Sequence, residues 1–296
     1  MNSRAAELSV AYNAARPRLV RVAYAVLGSR AEAEDAVSDC WLRLVAADAR
    51  TRVKDVEAWS TVAVARVALD VLRSARVRRE LYLGPWLPEP LVEAGPFEGD
   101  PADRVTLDDT ISYALMVVLE SLSPAERTAW VLHDVFGMPF TEVARTVGRT
   151  PAAVRQLAVR ARRHVGERAP RAEVGAAEHA AVVTRFLDAA VGGDLGGLLR
   201  ALDPDVVLTT DGGGQVSAAL RPVHGADRVA RFLQGVAAKT QPHERIGVIV
   251  VNGALGIGVF DGERLTTVVS FTVAERGVVR VDVVRAPDKL PPVCPS

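Results

Sequence analysis

Between Leu83 and Pro101 the chain carries Gly84, Pro85, Pro88, Pro90, Gly95, Pro96, Gly99 and Pro101, a density of breakers that no helix tolerates. The stretch is also acidic, with one basic side chain (Arg104) against eight acidic ones over residues 81–122. It reads as a linker. It cuts a chain of 296 residues, a length suited to about two domains, into bodies that must each bury their own core.

The patterns on either side of the linker are helical. Val37, Trp41 and Leu44 recur at helical spacing, as do Val154, Leu157, Ala158, Ala161 and Val165. Both flanking segments are therefore expected to be all-α. From about Val206 the texture changes to β-branched runs, Val206 to Thr210, Ile246 to Val251, Leu265 to Thr272 and Val278 to Val284, with Asp-Gly, Asn-Gly and Arg-Gly turns between them. Helical patterns at Ala176 to Ala190 and Ala226 to Ala238 complete an α+β unit.

Charge follows the same division. The totals balance at 36 basic and 36 acidic residues, which taken whole argues against a nucleic-acid binder. By segment the balance is +4 over residues 1–80 (14 against 10), −7 over 81–122, +4 over 123–175 (nine against five) and −1 over 176–296 (12 against 13). The neutral total is a cancellation, and the two helical segments are basic. Cys40 and Cys294 are the only cysteines, far apart in sequence, so neither a disulfide framework nor a cysteine metal site is expected. No apolar run approaches the roughly 18 residues of a spanning helix, and a soluble cytoplasmic protein is expected.

Ser123-Pro124-Ala125-Glu126 is a capping box with proline in the first turn, so a helix starts there. It is expected to reach His133 or Phe136. A short helix from Thr141 to Val147 is stopped by Gly148, and Thr150-Pro151 open the next. Two helices joined in this way make a helix-turn-helix. The apolar stripe leaves Arg155, Gln156, Val159, Arg162 and Arg163 outward, with Arg149 and Thr150 at the leading end. Such side chains pair with phosphates and with guanine or adenine edges in a major groove. The plainer reading is a solvated Arg-rich face on a helical bundle.

In the first segment, Ser29-Arg30-Ala31-Glu32 caps a helix on which Asp35, Asp39 and Leu42 face away from the buried side. Early carboxylates suit the helix dipole, but that explains Asp39 and an exposed Leu42 poorly. Further on, Trp59, Arg66, Arg73, Arg76, Arg78 and Arg79 lie on a long helical pattern with a basic end, a composition that suits single-stranded DNA.

At these residues the chain resembles a bacterial RNA polymerase sigma factor of the extracytoplasmic-function (ECF) type. Glu34 to Leu44 is similar to the region 2 helix that grips core polymerase, Ala58-Trp59 to Arg79 to the part that melts and reads the −10 element, and Leu122 to His164 to region 4, which reads the −35 element. Trp86-Leu87-Pro88-Glu89-Pro90, Asp211-Gly212-Gly213-Gly214 and Pro287-Asp288-Lys289-Leu290 resemble the SigJ-like subgroup, whose members carry a SnoaL-like (NTF2-like) C-terminal domain. Gln215 stands where the subgroup usually has Lys, and Ala286 where it usually has Asn.

The resemblance implies a multidomain fold of two all-α sigma domains and an α+β cone. Region 2 would span 7–80, the linker 81–110, region 4 111–170 and the regulatory domain 176–290. It implies contact with the β′ clamp helices of core polymerase, through Asp35, Asp39, Trp41 and Leu42, and with its β flap. The −10 strand falls to Trp59, Arg66, Arg73, Arg76, Arg78 and Arg79, and the −35 duplex to Arg149, Thr150, Arg155, Gln156, Arg160, Arg162 and Arg163. Trp86 to Pro90, Asp211 to Gly214, Asp288, Lys289 and Leu290 would make the regulatory contacts, in place of a separate membrane anti-sigma factor.

No metal, cofactor or catalytic role is expected. Asp211, His224 and Asp282 are the candidates for acid-base chemistry in a SnoaL-like fold, but Asp211 opens a turn, His224 lies in a loop and Asp282 is expected to face solvent. A small-molecule ligand in the SnoaL-like pocket is the further partner the fold admits. The competing reading is a helix-turn-helix regulator or small-molecule sensor acting without core polymerase.

Overall fold

The computed structural model describes residues 3–80, 82–93, 111–168, 174–239 and 241–291. The chain divides into two compact units. One comprises residues 1–81 and 118–168, the other 82–117 and 169–296.

In the first unit α1 (Ser3–Leu27), α2 (Arg30–Arg50) and α3 (Val56–Glu80) form a bundle. Ser29 caps α2 by accepting from the Glu32 amide, and Val37, Cys40 and Leu44 turn inward from it. Trp41 is half-buried, with its ring 5.3 Å from that of Tyr12. The second half of the unit starts with the expected capping box: Ser123 and Glu126 bond reciprocally at the head of α5 (Pro124–Trp130). Instead of continuing as an α-helix to Phe136, the backbone loosens into a π-turn over Val131–Val135, a local widening of the helix. α6 (Phe140–Val147) ends on Gly148 at φ 70°, the left-handed conformation that glycine takes without penalty. α7 (Pro151–Arg168) follows, and Thr150 accepts from the Ala153 amide at its head.

These two halves share a core. Val22 of α1 and Ala65 of α3 pack in one buried cluster with Ala129, Leu132, Met138, Val143, Val154 and Leu157. The α4 helix (Tyr113–Leu119) lies where the chain passes from the second unit back to the first.

In the second unit α8 (Ala176–Val191), α9 (Leu195–Ala201) and α10 (Ala226–Ala237) cover one face of a sheet. The sheet comprises β1 (Val92–Glu93), β2 (Leu202–Asp211), β3 (Val223–His224), β4 (Glu244–Val251), β5 (Ala254–Asp261), β6 (Arg264–Ala274) and β7 (Gly277–Val284). Its order is β1-β4-β5-β6-β7-β2-β3, antiparallel except for the β2–β7 pair. This is the helix-over-sheet layering expected of a SnoaL-like cone. Phe186 and Phe271 meet edge to face, 4.9 Å apart, between the layers.

The linker is not a free tether. Its Val92 and Glu93 pair with Val251 and Val250 and lengthen the sheet by a strand. Tyr82 to Leu91 run without a helix, as their prolines and glycine require. The remainder of the acidic stretch, 94–110, lies outside the described residues.

The sequence pattern does not announce β5, because Gly256 and Gly258 interrupt its apolar run. The structure explains both glycines. A Cβ on Gly256 would lie 2.7 Å from the Val269 carbonyl, and one on Gly258 would lie 2.9 Å from the Phe260 ring. At Gly256 the neighbouring backbone comes close, and at Gly258 the Phe260 ring of the same strand fills the space a side chain would take.

The shared core yields a test. Leu132→Ala should destabilise the first unit by about 2–5 kcal/mol, read by chemical denaturation, since Leu132 is fully buried in the cluster joining its two halves.

Candidate functional site

Three faces of the first unit carry the expected polar residues. On α2, Asp35 and Asp39 are exposed and Leu42 is 69% exposed. An apolar side chain left in water beside two carboxylates suits a partner surface. On α3, Trp59 is half-buried and Arg73 is exposed beside Asp70. The side chains of Arg76, Arg78 and Arg79 lie outside the described residues.

Arg66 is exposed, yet its guanidinium donates to the Arg145 carbonyl on α6 at 2.8 and 3.2 Å. A residue expected at the −10 strand thus holds the helix-turn-helix half. Deeper in the same junction Arg127 is 1% exposed, donating to the Ala25 carbonyl at the end of α1 (3.0 Å) and pairing with Glu120 at 2.5 Å. Nothing in the sequence singles out Arg127 among its many arginines.

On α7 the arginines divide. Arg149 and Gln156 are exposed, and Arg155 lies over the Phe140 ring at 5.4 Å. Arg160 pairs with Glu126 (2.8 Å) and Arg162 with Asp134 (2.6 Å), while Arg163 approaches Glu167 on its own helix at 3.8 Å. Burial raises the Glu126 carboxyl, but hydrogen bonds from Ser123 and Arg160 outweigh it and leave the group below the usual glutamate range. Arg160 and Arg162 therefore bind the neighbouring elements at the two rims of the outward face, and Arg155, Gln156 and Arg163 line its middle.

The second unit brings the three short motifs to one point. Asp211, at the end of β2, has a side chain with no exposure, and Lys289, on the 3₁₀ turn Pro287–Lys289, is 5% exposed; they pair at 2.7 Å. The Asp211 carboxylate accepts from the Tyr82 hydroxyl and the Gly213 amide on one oxygen and from the Leu87 amide and Lys289 on the other. The Lys289 ammonium donates to the Leu87 carbonyl at 2.7 Å and sits 3.1 Å from the Trp86 ring centroid, with the Tyr82 ring at 5.2 Å. Burial and then the bond to Asp211 push the Tyr82 hydroxyl well above its ordinary range, so it stays a donor.

Around this pair Leu87 and Leu290 share a buried cluster with Ala286 and Val284. Gly213, at φ 69°, lies so close to Ala286 that a Cβ would come within 3.1 Å, while Gln215 and Asp288 are exposed. The linker is anchored at two further places. Leu91 exchanges hydrogen bonds with Asn252, whose side chain also donates to the Ile111 carbonyl, and the Tyr113 hydroxyl donates to the Pro88 carbonyl at 2.8 Å. Asn252 was legible only as part of an Asn-Gly turn, and its φ of 47° fits that turn.

Comparison with known proteins places these features. Residues 11–78 match the Sigma-70 region 2 family and residues 112–165 the Sigma-70 region 4 family. The chain is 43% identical over 249 residues to the ECF RNA polymerase sigma factor SigJ of Mycobacterium tuberculosis, covering 83% of this chain and 78% of that one. It belongs to the ECF sigma factors. It is also 34% identical to the probable ECF sigma factor SigI of the same organism, over 97% of this chain and 96% of that one. The crystal structure of SigJ superposes with a TM-score of 0.73 at 38% identity, covering 93% of this chain and 95% of SigJ. No helix among the described residues of this sigma factor is long and apolar enough to cross a membrane.

Two of the three acid-base candidates have separate partners. His224 is exposed on the edge strand β3, Asp211 is held by Lys289, and Asp282 pairs with Arg280 at 2.7 Å. Asp282 does not face solvent as expected; it is 2% exposed, beside Thr209 and Ser270 on adjacent strands. Its place in an inner strand, flanked by β2 and β6, buries it. An open groove of about 730 Å³ lies among α8, α9 and the β6–β7 turn, lined by Glu178, Arg185, Asp188, Asp194 and Arg200. The layer between helices and sheet is filled by side chains such as Phe186, Leu208 and Phe271.

Two outcomes are expected. Lys289→Met would leave the Asp211 charge buried without its partner and should cost about 3–5 kcal/mol, seen as earlier melting and faster proteolysis of residues 82–93. Burial raises the Asp282 carboxyl above its ordinary value. Its favourable state is therefore complete below the unfolded-chain pKa of about 3.9 and is lost as pH rises through the raised folded value. Asp282→Asn should melt above the wild type at pH 7 to 8, and melting curves against pH should converge toward pH 4.

Proposed function

We propose that this sigma factor is held idle by its own linker and tail, and that core polymerase must open it before it can direct initiation. The observation that carries the reading is that both ends of the linker are docked on the C-terminal domain: Tyr82 to Val92 through the Asp211–Lys289 pair and β1, Ile111 through Asn252, and Tyr113 through its buried cluster with Ile249, Phe260 and Leu290.

The dimensions support it. Elements centred near −10 and −35 lie some 25 base pairs apart, roughly 85 Å of B-DNA at about 3.4 Å per base pair. Regions 2 and 4 share one core, and a body of that size is only about 35–40 Å across. A freed linker, about 30 residues from Tyr82 to Tyr113, could reach roughly 100 Å. Docked at both ends it cannot. Opening must also release Arg66 from Arg145 and expose Arg127, so the same step frees a −10 residue and unmakes the junction.

In the open form Asp35, Asp39, Trp41 and Leu42 meet the core enzyme, Trp59, Arg66 and Arg73 meet the melted −10 strand, and Arg149, Arg155, Gln156 and Arg163 meet the −35 duplex. Thr150 serves as the cap that orients α7. Arg160 and Arg162 contribute mainly by fixing α7 against α5 and the π-turn.

In vitro transcription with purified core polymerase is the decisive test. Asp39→Ala with Leu42→Ala should abolish co-elution with core. Arg155→Ala should weaken −35 binding by about 1–3 kcal/mol. Fluorophores on Val45 and Glu167 should move apart on core binding, and Lys289→Met should make that separation occur at lower core concentration and raise output. An unchanged distance would overturn the closed-form reading, and lack of initiation at any promoter selected from random DNA would overturn the promoter-directing role.

A further inference from the structure

We infer that Val159 is a specificity-determining residue of the recognition helix, taking the 5-methyl group of a thymine in the −35 element. The inference rests on the −35 reading of α7 and adds to it an apolar contact at the centre of the arginines.

Val154, Leu157, Ala158 and Ala161 face the core of α7. The direction opposite them, at about 100° per residue, falls on Arg163, flanked by Val159 on one side and Gln156 on the other, with Arg155 one turn before Val159. Val159 is 60% exposed. A scattered exposed valine is ordinary, but this one occupies the middle of a helix with five arginines and one glutamate, where a polar or alanine side chain would cost nothing in folding and would favour the helix.

Its surroundings narrow what could cover it. The Arg162 and Arg160 guanidinium groups are drawn to the two rims by Asp134 and Glu126, and Arg155 is drawn over Phe140. The cations frame the valine and leave it exposed between them. A cationic frame selects a polyanion, which disfavours an apolar protein partner. Within a major groove, the apolar feature that a base edge presents is the thymine methyl.

The test replaces single thymines by uracil, which removes the methyl and leaves every hydrogen bond of the base pair. Full-length chain assembled with core polymerase would be measured on duplexes carrying its selected −35 element, uracil replacing thymine one position at a time on each strand. The wild type should lose about 3- to 10-fold in affinity at one or two adjacent positions. Val159→Ala should bind the thymine duplex as weakly as the wild type binds the uracil duplex, and show no further loss with uracil. Val159→Thr, close in shape and keeping one methyl, should retain part of the discrimination.

If no uracil substitution matters while Arg155→Ala still weakens binding, the Val159 assignment fails and the −35 reading stands. If neither uracil substitution nor Arg155→Ala changes duplex binding, the −35 reading itself fails. If Val159→Ala instead reduces assembly with core and leaves the DNA contacts unchanged, the valine belongs to a protein interface and the assignment is overturned.

Discussion

The Asp211–Lys289 pair is the interaction on which the organisation of this sigma factor turns. A buried ion pair is a poor source of stability on its own, because both ions give up water. Here the loss is met group by group. The carboxylate accepts from two amides, a hydroxyl and the ammonium, and the ammonium donates to a carbonyl and the carboxylate and presses on an indole face. Such a site is satisfied only when linker, β2 and tail are all in place. It therefore acts as a specific three-part joint, which greasy contacts such as Leu87 against Leu290 would not enforce alone.

The first unit follows a related logic with a different balance. Its two halves meet through apolar residues, Val22 and Ala65 against Leu132 and Val143, and polar contacts across the junction come from Arg66 and Arg127, with Arg18 donating to the Phe136 carbonyl at 3.5 Å. Arg66 is on the surface, where such a bond is easily exchanged for another acceptor. Arg127 is buried, and exposing it would return its guanidinium and Glu120 to water. Opening such a junction, as proposed, requires a partner that supplies comparable contacts.

Much was legible because local rules were obeyed. The cap at Ser29, the capping box at Ser123, the Gly148 stop and the Thr150-Pro151 start are encoded within a few residues, and each appears where its pattern places it. Leu42 stood out as apolar on a polar face and is exposed. The misses arose where neighbours from other strands or helices decide. Gly256 and Gly258 hide the β5 strand from the sequence pattern, and each stands where a Cβ would collide with the Val269 carbonyl or the Phe260 ring. Asp282 looked solvated and is buried in an inner strand. Arg160 and Arg162 looked free and are held by acids 34 and 28 residues away.

The sequence by itself determined most of the helical and strand segments, the place of the linker, the helix-turn-helix and its outward face, because helix period, caps and turn residues act over one or two turns of chain. It also supplied the three short motifs, without their geometry. Only the tertiary structure decided that Trp86, Asp211 and Lys289 form one buried joint, that the linker becomes a strand of the sheet, and that regions 2 and 4 share a core. Those outcomes join residues as much as 202 positions apart, and which distant groups find one another depends on burial and on satisfying every buried donor and acceptor at once.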